Sequence, residues 1–403
     1  MNQLAESFAH AFSTGTGSER VFTDPVEYKR IVDVAKNLEK KEYFTGGNAA
    51  LIGQHLVETA GTKPRDVTLV AAVGPVLNKL LHKDIKVPKG SHVKDDEVHL
   101  ILEFKLNEQW GTFTASRANR FIFSFDRTNA EMKPLDDFPD AIAEYQPDVI
   151  VFSGIHMVEA EPADFRKQRV LDTTSFFEAV EPTRATHLEL ASLADNDFVK
   201  LITDNMISAV DSLGLNEQEL KLVAGVGGSP HQDVLQGAFE KPEVAVIADL
   251  IHWLLTTYGN KPNARLSRVH FHTLGFHLMG AYKGHWGDVG AATTWGAVSC
   301  SQRACRVTDR HQSGEPLEGM VTHRMEPTFA LHKGDAEPKL AMVRDFDPGR
   351  AVVRWERDGI AFAMAPVLVC TPPEKTVGLG DSISAAGLEM HKFNYRRYVK
   401  DEL

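Results

Sequence analysis
The chain has 403 residues, 43% of them hydrophobic and 25% charged, with a formal net charge of −11. These are ordinary globular proportions, enough for two units or one large α/β domain with a lid, and they exclude long disordered tracts. The acidic balance gives no electrostatic footprint for nucleic acid, no apolar run approaches the ~18–20 residues that span a bilayer, and three cysteines make no disulfide framework.

Met1 to Phe12 (MNQLAESFAHAF) lacks a basic stretch followed by an apolar core, so no secretory leader is read there. Thr45-Gly46-Gly47-Asn48 feeds a helix whose apolar residues are Leu51, Ile52, Leu56 and Val57. Adjacent glycines let the backbone approach a hydroxylated ligand, and Asn48 can donate and accept; a plain turn with Asn48 as N-cap explains the same pattern. Val67 to Val73 reads as a buried strand and Lys83 to Lys94 as a surface loop. From Asp96 to Phe125 three apolar runs with short turns suggest antiparallel strands inserted as a lid.

Strand-like and helical runs then alternate. Val149 to Ser153, Thr186 to Leu190 and Val269 to Thr273 have the buried-strand texture, and Pro162 to Val180, Asp195 to Met206, Asn216 to Val226 and Pro242 to Tyr258 read as helices. That alternation predicts a mostly parallel sheet covered by helices. Met320 to Met364 is strand-rich, with turns at Asp347-Pro348-Gly349 and Arg357-Asp358-Gly359, and is expected to extend one sheet edge. Pro366 to Cys370 is a last buried strand before the helical spacing of Ser382 to Met390.

Gly378-Leu379-Gly380-Asp381 therefore sits at a helix N-terminus. The glycines allow close approach, free N–H groups and the helix dipole favour an anion, and Asp381 can take a proton from a nearby hydroxyl; a capped turn with Asp381 as N-cap is the structural alternative. In His187-Leu188-Glu189, alternation puts His187 and Glu189 on one face at a strand's carboxyl end, where a carboxylate can hold a metal directly or through water. Asn216 and Glu219 have the i, i+3 spacing either of a magnesium–phosphate site or of a capping box. His270, His272, His277 and His285 lack the tight spacing of a zinc site, Cys300 and Cys305 read as two free thiols or, in an oxidising compartment, as a pair, and Cys370 as a small core residue.

Taken in order, GGNAALIGQ, HLILEF, RFIFSF, SGIHM, HLELAS, GLNEQEL, HFHTL and TVGLGD resemble the ADP-dependent glucokinase family of eukaryotes, from about Val21 to Leu388. The resemblance implies a single ribokinase-like unit spanning 1–403: a three-layer α/β core from about 126–403 plus parts of 1–95, and a small β-rich lid over about 96–125 with parts of 40–60. It implies phosphorylation of glucose by ADP, with Mg2+ and as a monomer. By motif, Asp381 is the expected base, the backbone of Gly378, Leu379 and Gly380 the anion hole, and Gly46, Gly47, Asn48 and Glu103 the sugar site. Glu189, Glu219 and Asp381 would organise the metal. Family members begin with an apolar strand bearing an asparagine and an aspartate; here that pattern is missing, so neighbouring strands are expected to be unpaired and activity weak. After HLELAS the family's phosphate-binding arginine is replaced by Asn196 and Asp197, with Lys200 the nearest base, so Arg184, His231 and Asn216 are the expected nucleotide contacts.

A phosphorylated acceptor is disfavoured because the Glu103 carboxylate would repel it; an inactive lumenal binding homologue is the other alternative. The tail Lys400-Asp401-Glu402-Leu403 spells an endoplasmic-reticulum retrieval signal, so the expected location is the lumen given an upstream signal peptide and the cytoplasm otherwise.

Overall fold
The computed structural model describes residues 2–15, 18–22, 24–58, 66–116, 118–236, 242–273, 275–305, 321–322, 325–333, 339–343, 351–367, 369–370 and 378–394. Near the amino terminus, helices α1 (Asn2–Thr14) and α2 (Pro25–Lys36) pack on a three-stranded sheet of β1 (Ser18–Val21), β2 (His99–Phe104) and β3 (Asn119–Ser124). Strand β3 lies in the middle, parallel to β1 and antiparallel to β2. Asp24 starts α2 by accepting from the backbone N–H of Val26 and Glu27, with Pro25 at the first helical position. The sheet needs cover because alternation turns Phe104, Phe121 and Phe123 to one face, where Phe12, Tyr28 and Val32 bury them. Tyr28 sets its hydroxyl between the carbonyls of Val98 and Phe123, and burial pushes this phenol up to about 12.

Helix α3 (Asn48–Glu58) follows, and the large core then runs β4 (Val149–Ser153), α4 (Ala163–Ala179), β5 (Ala185–Glu189), α5 (Asn196–Asn205), β6 (Ser212–Asn216), α6 (Glu217–Val226), α7 (Val244–Tyr258), β7 (Arg268–His272), β8 (Phe276–Tyr282), α8 (Val289–Cys305), β9 (Val353–Arg357), β10 (Ile360–Pro366) and α9 (Leu379–Met390). The seven strands form one sheet in the order β9-β10-β8-β7-β6-β5-β4. Strands β4 to β7 are mutually parallel and β8 and β9 run against them, while β10 shares their direction. One face carries Leu188, Leu213, Val269 and Phe271 into an apolar core with α4, α5, α6 and α7. Helices α8 and α9 cover the other face, which makes the predicted three layers, and β9 extends the sheet edge as expected.

Several expectations change. Val67 to Val73 pairs as a strand only at Val67–Thr68, against Ile85–Lys86 from the stretch read as a loop; Pro88, lacking an N–H, follows two residues later and cannot donate to a longer ladder. The final core strand is Ile360–Pro366, because Pro366 ends the ladder with β8, and Val369–Cys370 pairs with Val321–Thr322 instead. Helix α3, expected partly with the lid, packs on α9 and β4 of the core. Among the described residues β5, β6, β7, β8 and β10 each have two partners, so the unpaired backbone expected beside a missing strand is confined to the edge strands β4 and β9. The turn at 347–349, the Cys300, Cys305 and Cys370 side chains, and residues 400–403 lie outside what is described.

Candidate active site
Five strands point the same way, so Ser153, Glu189, Asn216, His272 and Pro366 end along one edge of the sheet. Helix α9 begins at that edge. Gly378 caps it in the left-handed region (φ 73°), a conformation glycine adopts without strain, and Ser382 N–H and Oγ close the turn on the Gly378 carbonyl at 3.0 and 2.8 Å. The first backbone N–H groups of α9 have no partner within the helix, and its dipole adds positive potential. Asp381, in the first turn, is nearly buried, and Asn48 Nδ2 donates to its Oδ1 at 2.9 Å. Asn48 opens α3 behind Gly47, whose φ of 82° makes the turn, and a Cβ at Gly46 or Gly47 would meet nothing within 4 Å. The two glycine-rich turns thus meet, one supplying a carboxylate and the other an amide beside open backbone.

Behind this mouth lies a buried polar cluster. Glu189 Oε2 accepts from His187 Nε2 at 2.9 Å; its Oε1 accepts from His272 Nε2 at 3.1 Å and Ser384 Oγ at 3.0 Å. Burial pushes this carboxyl up, but the His187 and His272 donors outweigh it and bring it down to about 2. Register explains the neighbours: Gly214 of β6 stands beside Glu189, and a Cβ there would fall 1.9 Å from Glu189 Oε2. Gly380 likewise leaves room for an imidazole, since its Cβ would lie 2.7 Å from His272 Cε1.

Asn216 and Glu219 form the capping box of α6. Asn216 Oδ1 accepts from the N–H of Gln218 and Glu219, Glu219 Oε2 accepts from Asn216 N–H at 3.0 Å, and Glu219 Oε1 takes Ser192 N–H at 2.8 Å. Burial pushes the Glu219 carboxyl up. Burial opposes protonation of His272, yet Glu189, by hydrogen bond and charge, and the charges of Glu219 and Asp381 together raise its pKa. The three acids proposed from sequence therefore all favour the charged form of one histidine that spacing had set aside, with Glu189 in direct contact with it.

Other calls fall elsewhere. Arg184 precedes β5 and bonds Pro147 O (2.7 Å) and Gln146, at the amino end of the strand and ~16 Å from Glu189 at 3.3 Å per residue, so it is not a nucleotide contact at this edge. His231 Nε2 pairs with Asp249 at 2.8 Å, and the same carboxylate holds Arg357 at 2.6 Å, so His231 belongs to a clamp between α7 and β9. Lys200 pairs with Asp204, while Arg166 reaches Asp195 Oδ2 at 3.1 Å beside Asn196, making it the base nearest that turn. Glu103 is exposed on β2, with Arg120 directly across in register. Sequence reasoning missed His272, Ser384, Ser212 and Arg268; only the alternating polar pattern Arg268, His270, His272 on a buried strand could have signalled them.

A three-layer α/β core with a small separate sheet and a helix that begins at the carboxyl edge of the strands defines a ribokinase-like fold. The chain belongs to the family described as ADP-specific phosphofructokinase/glucokinase, whose model matches residues 1–390. It is 37% identical over 393 residues to the ADP-dependent glucokinase of Bos taurus, covering 96% of this chain and 76% of that one, and 32% identical over 398 residues to a probable ADP-dependent glucokinase of Caenorhabditis elegans, covering 97% and 77%. Its fold resembles that of a hypothetical ADP-dependent phosphofructokinase from Pyrococcus horikoshii, with a TM-score of 0.63 at 18% identity, covering 99% of this chain and 88% of that one.

Proposed function
We propose that this protein transfers the β-phosphoryl group of ADP to the 6-hydroxyl of glucose, giving glucose 6-phosphate and AMP. The observation that carries the reading is the contact of Asn48 with Asp381 at the mouth of the Gly378–Gly380 turn, in a chain 37% identical to a glucokinase. Asp381 accepts the proton of the attacking hydroxyl, and the Asn48 amide holds that carboxylate in place. The backbone of Gly378, Leu379 and Gly380 steadies charge on the transferring group, and Gly46, Gly47 and Glu103 contribute to sugar binding. The rest is positioning and electrostatics, which is what phosphoryl transfer asks of a protein.

We assign magnesium to the reaction, held through water. Both oxygens of Glu189 and of Glu219 already accept protein hydrogen bonds, so these carboxylates fit ordered waters around the ion better than direct coordination. When bound, the ion would neutralise charge on the nucleotide phosphates.

The alternative acceptor is fructose 6-phosphate, named for a related kinase of the same fold. Arg120 is the register neighbour of Glu103, so opposite charges stand on adjacent strands and charge alone does not discriminate; identity to glucokinases favours glucose. The deciding assay mixes protein and magnesium with ADP or ATP and with glucose or fructose 6-phosphate. Glucose 6-phosphate from ADP is expected; product only from ATP, or only from fructose 6-phosphate, overturns the assignment. Retrieval to the endoplasmic reticulum through 400–403 is proposed on sequence alone for a chain that enters the lumen behind a signal peptide; with such a peptide fused upstream, deletion of those four residues is expected to release the protein into the secretory route.

A further inference from the structure
Arg268, at the start of β7, is fully buried. A guanidinium in such a place normally faces a carboxylate, because an uncompensated buried charge is costly. Here each bond goes to a neutral group: Nε to His391 Nδ1 at 2.9 Å, Nη1 to Ser212 Oγ at 2.6 Å and Nη2 to Met279 Sδ at 3.4 Å, with the Trp286 ring 5.4 Å away. Burial lowers its pKa to about 9, which leaves it protonated at neutral pH.

The donor inventory, taken with the Glu189 carboxylate at the far end, then orders protons along a line. Arginine only donates, so Ser212 Oγ is the acceptor in that bond. Ser212 is still left with a hydroxyl proton, and His187 Nδ1 stands 2.8 Å from its oxygen. If the serine donates there, His187 carries its own proton on Nε2, where it meets Glu189 Oε2 at 2.9 Å. The reverse tautomer would set a bare ring nitrogen against a carboxylate. The register supports the line, since Ser212 is the direct neighbour of His187 on one side and Arg268 on the other. Glu189 in turn ties down Ser384, one residue-triplet beyond Asp381 on α9, and His272, on which Gly380 rests.

We infer that Arg268 is a positioning residue for phosphoryl transfer: acting through Ser212, it sets the His187 tautomer and so holds the Glu189 carboxylate as the shared acceptor that seats His272 and α9 beneath the anion-binding turn. The inference rests on the kinase reading for its consequence, but the proton arrangement stands apart from it. Partners that orient a functional carboxylate or histidine in this way typically cost 10–100-fold when lost.

The test has two arms. Nitrogen-15 spectra of the histidine rings, with His187 assigned by the signal lost in His187→Asn, are expected to show Nε2 protonated and Nδ1 bare in the wild-type protein. A proton on Nδ1 would overturn the inference whether or not any variant folds and whatever the donor nucleotide. In Ser212→Ala the His187 signal is expected to become a mixture of tautomers and kcat to fall about tenfold with the glucose KM within about twofold, while Ser212→Thr restores both. An alanine variant with unchanged kcat, or a KM that moves as much as kcat, would overturn the positioning role.

Discussion

Asn48 Nδ2 donates to Asp381 Oδ1 at 2.9 Å across 333 residues of sequence, joining the first glycine-rich turn to the last. Neither turn is decisive alone, since each also reads as an ordinary helix start. Their meeting at the carboxyl edge of a largely parallel sheet is what makes the pair a candidate site.

Replacing Asn48 by alanine removes a hydrogen bond to a charged acceptor, worth about 1.5–3 kcal/mol. At 1.36 kcal/mol per tenfold, kcat/KM for glucose is expected to drop roughly ten- to hundredfold. Steady-state kinetics with ADP as donor checks this, and unchanged kcat/KM would remove the amide from the mechanism.

Asp381→Asn keeps the shape of the side chain and deletes its basicity. General-base loss lowers kcat by about 10²–10⁴-fold. Glucose binding, followed by calorimetry, is expected to persist; a variant with near-normal turnover would rule out Asp381 as the proton acceptor.

Two glycines are fixed by close approach. A Cβ at position 214 would sit 1.9 Å from Glu189 Oε2 and one at 380 would sit 2.7 Å from His272 Cε1. Overpacking costs about 1–3 kcal/mol. Gly214→Ala is expected to be the more destabilised of the two in urea unfolding, and Gly380→Ala to lose more activity than stability, because it tilts the imidazole under the turn.

Where the small sheet joins the core, burial first and the neighbouring Asp126 second push the Glu97 carboxyl well above its ordinary range. Burial also pushes Asp126 up, but hydrogen bonds from His99, Glu97 and Asn129 outweigh it and hold it low. For Glu97 the folded chain keeps its proton where the unfolded chain has lost it, so folding is favoured most at low pH and that advantage is lost as pH rises through the raised folded value. Glu97→Gln is therefore expected to melt higher than the wild type at pH 8 and nearly level with it at pH 5. Equal shifts at both pH values would show that Glu97 does not hold a proton.

Much of this was legible in the residues. Periodicity and caps placed the helices at 163–179, 196–205, 217–226 and 244–258 within about two residues, because helix starts and apolar spacing are local signals. The glycine turns and the Asn216–Glu219 pair were legible too, since backbone geometry and capping are local. Strand limits were less so: Val67–Thr68 stays short and Ile360–Pro366 starts early because pairing depends on a partner supplied from elsewhere in the chain.

Sequence by itself determined the layered α/β plan and the family motifs, and it singled out the two glycine-rich turns that carry Asn48 and Asp381. Tertiary structure alone decided which groups share a space. His272 was brought onto Glu189, and Arg184 was placed at the amino end of its strand, away from the site, because a residue's neighbours are set by register between strands far apart in sequence. Proton placement from Arg268 to Glu189 is likewise a property of that packing, since hydrogen-bond direction follows only from which donors and acceptors the folded chain leaves in reach of one another.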